Sequence, residues 1–165
     1  MAGTDFAQLL DRFTAAVEAG DGEAFAKVFT EDGEYHDAFY GPFAGRAAIA
    51  EMLEKRFWRD AEAFKWEMLE PVDDGRIGYA RWRFSYTSKM PEARGKRIYM
   101  EGVGYFHLKD GLIARYEDYA RIGEVLVQLN LGPARTHRVL EKMAEKQAAL
   151  PEARPHLGAP SASRT

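Results

Sequence analysis

Hydrophobic positions recur at two different spacings along this chain, and the spacing changes near residue 60. In the N-terminal third the apolar residues repeat every three or four positions, as on the buried face of a helix. The clearest such run is Phe6, Leu9, Leu10, Phe13 and Val17. Further on, apolar and polar residues alternate, as in Phe64, Trp66 and Met68, which is typical of a half-buried strand. The pattern therefore predicts helices first and strands afterwards.

Turn and capping residues divide the helical third into three helices. Thr4 or Asp5 can cap the first helix and Gly20 ends it, while Asp21 can cap a second, which "TEDG" ends after Phe29. The sequence then predicts a short strand at "EYHDA", a loop at "GPFAG" and a third helix from about Arg46. The apolar face of that third helix is Ile49, Met52, Leu53 and Phe57.

The remaining strands are bounded by turn sequences. They are "IGYARWRFSYTS", "RIYMEGVGYFHL" and "LIARYEDYA", separated by loops or turns such as "KDG". Helices followed by antiparallel strands indicate an α+β domain with the helices on one face of a curved sheet. Gly102 and Gly104 inside a strand indicate a bend or a close approach by another group.

A C-terminal extension follows the last strand. Residues 1–131 are interpreted as one domain and 132–165 as an added helix with a disordered tail that begins at Pro151. The segment "IGEVLVQLNLG" places Ile122, Val125, Leu126 and Leu129 on one helical face. We expect this face to cover the open end of the curved sheet. A partner subunit's sheet is the alternative.

Composition and charge exclude several function classes. The chain has no cysteine, which excludes disulfides, Cys-ligated zinc and a thiol nucleophile. The last 34 residues carry 6 basic and 3 acidic residues, which leaves 17 Lys and Arg against 23 Asp and Glu in residues 1–131. This negative charge argues against nucleic-acid binding. With no signal peptide or membrane span legible in the sequence, we expect a cytoplasmic protein.

Asp118 is the first candidate for chemistry. It lies two positions beyond Tyr116, on the same face of a predicted strand. In an aromatic pocket, desolvation would raise the pKa of this carboxyl and suit it to proton transfer near neutrality. The structural alternative is a buried carboxylate paired with Arg46, Arg115 or a tyrosine.

Asp37 is the second candidate, because Tyr35 and Asp37 share one face of the predicted short strand and His36 faces the other way. A carboxylate after a strand is also a common turn residue, so this position has two interpretations. The four histidines lack metal-ligand spacing, and no phosphate-binding or nucleotide-binding motif is present. We therefore expect neither metal nor cofactor.

Two long segments carry a family resemblance. "AAVEAGDGEAFAKVFTEDGEYHDAFYGPFAGRAAI" and "GVGYFHLKDGLIARYEDYA" resemble the SnoaL-like branch of the nuclear-transport-factor-2-like superfamily, over roughly residues 5–122. The resemblance implies a cone-shaped sheet that encloses one deep apolar pocket, and often a homodimer through the outer face of the sheet. Members include ketosteroid isomerase, limonene-epoxide hydrolase, polyketide cyclases and a cofactor-free diarylpropane lyase, so the fold alone does not decide the activity.

The resemblance also assigns individual positions. Asp37 matches the proton-shuttling aspartate of ketosteroid isomerase, but Phe13 and Gly104 stand where that enzyme has its oxyanion-binding tyrosine and aspartic acid. Asp118 matches an aspartate of limonene-epoxide hydrolase, whose Arg-x-Asp pair meets Arg81-Trp82-Arg83 here. Steroid isomerisation is therefore not expected, and the hydrolase pairing is incomplete.

These observations lead to one main hypothesis. It is a cofactor-independent lyase or isomerase acting on a hydrophobic aromatic or polycyclic molecule, with Asp118 and Asp37 as acid and base, assisted by Tyr116 and Tyr35. Epoxide hydrolysis and a non-catalytic carrier or dimeric scaffold are the alternatives. The residues predicted to contact substrate are Phe13, Phe57, Trp82, Phe84 and Met100, with His36 either on the surface or at the pocket rim.

Overall fold

A computed structural model describes residues 2–158 and begins with a group of helices. Helix α1 spans Ala2–Ala19 and α2 spans Gly22–Lys27. Helix α3, Arg46–Met52, continues through a π-helical turn at Leu53–Phe57 into the short α4, Trp58–Asp60. The predicted cap of α2 is confirmed, because Asp21 Oδ1 accepts a hydrogen bond from the Ala24 N–H at 2.8 Å.

Six strands form one curved sheet. They are β1 (Phe29–Asp37), β2 (Gly41–Ala44), β3 (Ala61–Asp73), β4 (Ile77–Ser88), β5 (Arg97–Lys109) and β6 (Leu112–Ala120). Their order is β2-β1-β6-β5-β4-β3. The predicted α+β fold, with helices against a curved sheet, is confirmed. The sheet is mixed and not wholly antiparallel as predicted, since β1 pairs with β6 in parallel and the other neighbours are antiparallel.

The first strand differs most from its prediction. Helix α2 ends at Lys27, so Phe29 and "TEDG" belong to β1 and not to a helix and its stop. "GPFA" forms β2 and not a loop, with Tyr35 paired to Phe43. Gly and Pro weaken the local strand signal, but both are compatible with a short strand at a sheet edge.

Irregular positions in β3 accompany the curvature of the sheet. The pairing of β3 with β4 shifts register between Glu62 and Lys65 and again between Leu69 and Val72. Ala63 and Glu70, which lie inside these intervals, have positive φ values of 50° and 53°. Bulges of this kind bend a strand and increase its twist. The concave face that results packs against α1, whose Phe13 is completely buried.

Gly102 provides a stability prediction, because a Cβ there would lie 2.4 Å from the Tyr119 carbonyl oxygen and 2.6 Å from the Trp82 ring. This confirms the close approach expected from the sequence. We expect Gly102→Ala to lower the free energy of unfolding by about 1–3 kcal/mol, measured by urea denaturation. A Cβ at Gly123 would meet nothing within 4 Å, so Gly123→Ala is the control and should not destabilise. Equal stability of the two variants would contradict the prediction.

The C-terminal extension is helical. Helix α5 spans Ile122–Gln128 and α6 spans Pro133–Ala148. Where the sequence predicted a disordered tail, Pro151–Ala153 forms a 3-10 turn and Arg154–Leu157 a short helix, α7. The rest of that predicted tail, 159–165, lies outside the described residues. Among residues 2–158, no helix combines the length and apolar character needed to span a membrane.

Candidate active site

A cavity of about 340 Å³ opens between the concave face of the sheet, the helical segment that ends with α4 and the C-terminal extension. Seven of the residues predicted for the site line it. They are Tyr35, Asp37, Phe57, Trp82, Phe84, Met100 and Asp118. Both candidate carboxyls thus face one cavity.

Three residues predicted for the site lie elsewhere, and two of these predictions are corrected. Phe13 is not in the cavity wall, because its ring is enclosed in the core, with centroids 5.1 Å from Trp66 and 5.2 Å from Tyr116. His36 is not at the rim, since it lies on the opposite face of β1 with Nε2 2.7 Å from Glu34 Oε2. Tyr116 also packs in the core, but its hydroxyl reaches a cavity residue.

That residue is Asp118, which receives two phenol hydrogen bonds. Tyr116 donates to Oδ1, and Tyr35 donates to Oδ2 at 3.4 Å. Burial and the nearby negative charge of Asp37 raise the pKa of Asp118 well above its usual value, and the phenol bonds act in the opposite direction. Asp118 is therefore a carboxyl that retains its proton more strongly than an exposed one.

The arginine partners that the structural alternative considered are engaged elsewhere. Arg46 donates to the Phe29 carbonyl oxygen at 2.8 Å from Nη2, and Arg115 pairs with Glu117 at 2.8 Å. Of the partners named in the structural alternative, Asp118 therefore has the tyrosines and, among the described residues, no arginine. A carboxyl without a cation keeps its raised pKa.

Asp37 is held differently, at the end of β1. Its Oδ1 accepts the backbone N–H groups of Phe39 and Tyr40, each at 2.8 Å. Burial raises the pKa of Asp37, and these two N–H donors oppose the rise by stabilising the ionised form. Asp37 is therefore both a turn residue and a cavity residue. The hydrogen bonds of the turn hold its carboxylate in the cavity wall.

The parallel pairing of β1 and β6 brings the two acids together. Tyr35 pairs with Tyr116 and the next residues, His36 and Glu117, pair in turn. The residues that follow this pair are Asp37 and Asp118, which line the same cavity and are close enough for the charge of Asp37 to raise the pKa of Asp118. The two carboxyls are thus adjacent on one face.

The central strands place the predicted substrate contacts Trp82, Phe84 and Met100 on the cavity side. Trp82 is buried and Met100 lines the cavity, whereas Arg81 and Arg83 are exposed on the other face. Arg81 donates to Glu70 at 3.2 Å. The arginines that meet the epoxide hydrolase motif therefore point away from the cavity.

Sequence reasoning missed several cavity residues. Phe64 and Trp66 were recognised as half-buried strand positions but not as pocket wall, although they alternate in phase with it. Tyr40 and Asp60 carried no signal, because they meet only in the fold, where Tyr40 donates to Asp60 Oδ2 at 2.8 Å. Their side chains lie at the cavity mouth, next to the turn that holds Asp37.

The C-terminal extension supplies the remaining wall. Leu126 and Leu129 of the predicted apolar stripe line the cavity, together with Arg135 and Val139 from α6. Two of the four stripe residues therefore belong to the cavity wall, whereas Ile122 and Val125 do not line it. Arg135 pairs with Glu92, and this contact holds the start of α6 against the loop between β4 and β5. Within the described part of the chain, no group of three or more His, Cys, Asp or Glu side chains is placed to hold a metal ion.

Structural neighbours share this fold. TsrD from Streptomyces laurentii superposes with a TM-score of 0.65 at 22% identity, over 76% of this chain and 95% of that one. A polyketide cyclase candidate from Xanthomonas campestris pv. campestris superposes with a TM-score of 0.65 at 22% identity, over 78% of this chain and 99% of that one. An LEH-like epoxide hydrolase from M. tuberculosis superposes with a TM-score of 0.64 at 17% identity, over 88% of this chain and 99% of that one. At these identities the neighbours establish the fold alone.

The family is established by a sequence model. No curated protein matches the chain. The model described as "SnoaL-like domain" matches residues 10–116, which include the second half of α1, all of α2 and α3, and most of the sheet. The chain therefore belongs to the SnoaL-like domain family, within the nuclear-transport-factor-2-like superfamily.

Proposed function

We propose that this protein is a cofactor-independent acid–base enzyme of the lyase or isomerase type, acting on a hydrophobic aromatic or polycyclic small molecule. The observation that carries the proposal is the pair of adjacent carboxyls, Asp37 and Asp118, in one aromatic-walled cavity. Two acids held in different environments are the usual means of obtaining one acid and one base near neutral pH.

Their environments assign the roles. Asp118 is buried among phenols and its pKa is raised well above the usual value, so it serves as the general acid. Asp37 accepts two backbone N–H bonds that favour its ionised form, so it serves as the general base. Tyr35 lines the cavity and orients the substrate oxygen, while Tyr116 donates a hydrogen bond to Asp118 from the core side.

The proton movements balance for a carbonyl substrate. Asp37 takes the proton from the carbon next to the carbonyl, and Asp118 gives its proton to the carbonyl oxygen as the enol forms. Where the substrate has a C=C bond in the β,γ-position, the enol is a conjugated dienol, so Asp37 then delivers its proton to the far carbon of the dienol and the enol hydroxyl returns its proton to Asp118. Both carboxyls recover their initial states, so no external acid or base is consumed.

Two other functions are weighed against the same geometry. Epoxide hydrolysis would use the two aspartates to activate water and protonate the epoxide, without help from the outward-facing Arg81 and Arg83. A non-catalytic carrier needs only the cavity. The rivals differ in what the carboxyls do, and that difference is measurable.

Solvent deuterium exchange tests the proposal. We expect the protein to exchange the acidic C–H protons of one or more members of a panel of aromatic and polycyclic ketones in D₂O, followed by NMR. Asp37→Asn should abolish the exchange. Ligand binding without exchange across the panel would favour the carrier, and ¹⁸O incorporation from water into an epoxide panel would favour the hydrolase.

Chelation provides a separate prediction. We expect the exchange activity to survive exhaustive treatment with EDTA, because the proposed chemistry uses two carboxyls and no Lewis acid. The control is the same enzyme dialysed without EDTA. Activity that disappears with EDTA and returns with one added metal would contradict the cofactor-independent mechanism.

We also propose that the protein is a homodimer through the outer face of the sheet. That face exposes Tyr79, Tyr99 and Tyr119, and it carries both arginines and glutamates, among them Arg83 and Glu101. A surface with both charge signs can pair with itself about a two-fold axis. Light scattering should give twice the chain mass of 18.7 kDa, and a monomer at high concentration would contradict this.

A further inference from the structure

The charge on the cavity wall is not balanced. Of the charged residues that line it, Asp60 is paired with Arg59 through two contacts of 2.6 Å, and Arg135 is paired with Glu92. Asp37 and Asp118 have no cationic partner among the described residues. The cavity therefore presents two uncompensated acids and no uncompensated base.

Aromatic rings form a continuous wall near these acids. Ring centroids are 6.1 Å apart for Phe57 and Phe64, 5.6 Å for Phe64 and Phe84, and 4.7 Å for Phe84 and Trp66. Tyr86 extends the wall, 5.7 Å from Phe84. The face of an aromatic ring carries partial negative charge and attracts organic cations, most strongly where water is excluded.

We propose that the cavity selects an organic cation, an aromatic or polycyclic compound that carries an ammonium group, with that group beside Asp37. This deepens the proposed function by naming the substrate class, and it rests on the same site. Asp37 is the counter-ion because both backbone N–H donors bind its Oδ1, while Oδ2 receives no hydrogen bond from a described residue. Asp118 has a tyrosine on each oxygen and remains the acid, while Asp37 remains the base for a C–H next to the ammonium group that it holds.

Other ligand charges fit this wall less well. An anionic group would meet Asp37 and Asp118, and the arginine at the mouth is already paired with Glu92. A neutral ligand would fill the apolar wall but leave the Asp37 carboxylate desolvated without a counter-ion, which is costly. A cation satisfies both the carboxylate and the ring faces.

Cation binding should depend on pH with a defined sign. A bound ammonium favours the ionised form of Asp37, so affinity should rise as pH increases through the pKa of this group in the free protein. The other charged or titratable groups around Asp37 are Tyr35, Tyr40, Asp60 with Arg59, Tyr86, Tyr116, Asp118 and Arg135. Burial raises the pKa of these four tyrosines above the usual value, to about 12 for Tyr86, so they do not titrate near neutrality.

Three probes of one shape test the proposal on the full chain. Phenyltrimethylammonium is a permanent cation, tert-butylbenzene is its neutral isostere and benzenesulfonate is an anion. Quenching of tryptophan fluorescence reports binding, since Trp66 and Trp82 line the cavity. We expect the cation to bind at least ~10-fold more tightly than the isostere, and the anion most weakly. Because burial raises the pKa of Asp37, the cation's affinity should increase as the pH rises from about 4 towards neutrality, and the isostere's should not.

Variants locate the preference. Asp37→Asn should remove the cation preference, because it weakens cation binding and relieves the desolvation cost that the neutral isostere meets in the wild type. Glu117→Gln, which removes an acid on the outer face of β6, should change neither affinity. Equal binding of cation and isostere, preference for the anion, no binding of the cation, or a preference that survives Asp37→Asn would each overturn the proposal. Because these are binding measurements, they stand even if the deuterium exchange fails, and exchange without cation preference would overturn only the ligand class.

Discussion

Replacement of Asp118 by asparagine is expected to reduce turnover by ~10²–10⁴, the usual contribution of a general acid or base. Asparagine preserves the size of the side chain, and its amide can still pair with the hydroxyls of Tyr35 and Tyr116. It cannot give a proton to the substrate. The loss should therefore appear in kcat and not in ligand affinity, as measured by steady-state kinetics and fluorescence titration.

Stability gives the same variant a second readout. The pKa of Asp118 is raised in the folded protein, so the folded state holds this proton more tightly than the unfolded chain does. The carboxyl therefore costs stability progressively as pH rises from the unfolded pKa through the folded pKa. Asparagine does not titrate, so Asp118→Asn should be more stable relative to the wild type at neutral pH than at about pH 4. Thermal unfolding at both pH values measures this.

Glu117→Gln is the matched control for Asp118→Asn. Glu117 is adjacent on β6 but faces outward, where it pairs with Arg115. We expect it to keep full turnover and to show no such pH-dependent stabilisation. An Asp118→Asn protein that remains folded and turns over at the wild-type rate would assign Asp118 to structure, as a carboxyl that only anchors two tyrosines.

The strands that carry the site were predictable because period and turn chemistry agree there. The bounds of β4 and β6 match the predicted segments, and the alternation placed Trp82 and Asp118 on the cavity side. Long alternating segments between glycine turns leave few competing registers. The position of Asp37 next to Asp118 was not predictable from period, because it depends on the parallel pairing of two strands distant in sequence.

Errors arose where tertiary contacts decide the location of a side chain. Phe13 lies on the buried face of α1 as predicted. Its ring packs against Trp66 and Tyr116 and does not reach the cavity, and this depends on how the core is packed. The Tyr40–Asp60 bond joins a turn to a helix end. Hydrophobic periodicity predicts neither the ring contacts of Phe13 nor the Tyr40–Asp60 hydrogen bond. It therefore indicated the buried face of α1 correctly but not whether Phe13 reaches the cavity.

Removal of helix α6 is the second change for which we expect a large effect. Helix α5 cannot be removed with it, because Val125, Leu126 and Leu129 are at most 5% exposed, and burial of such a side chain contributes about 1.5–3 kcal/mol. Truncation after Gly132 keeps these residues and removes α6, which has no buried residue. We therefore expect residues 1–132 to fold, and truncation after Leu150 to change little.

Loss of α6 should weaken binding of a neutral polycyclic ketone at least ~10-fold, equivalent to about 1.4 kcal/mol, because Val139 and Arg135 no longer close the mouth and water enters. Val139→Ser should reproduce part of this effect. Leu140→Ser is its control, since Leu140 is the next residue but does not line the cavity. Fluorescence quenching measures affinity and size-exclusion chromatography measures assembly. If the 1–132 protein becomes monomeric while its affinity is unchanged, α6 belongs to a subunit interface and does not act as the lid.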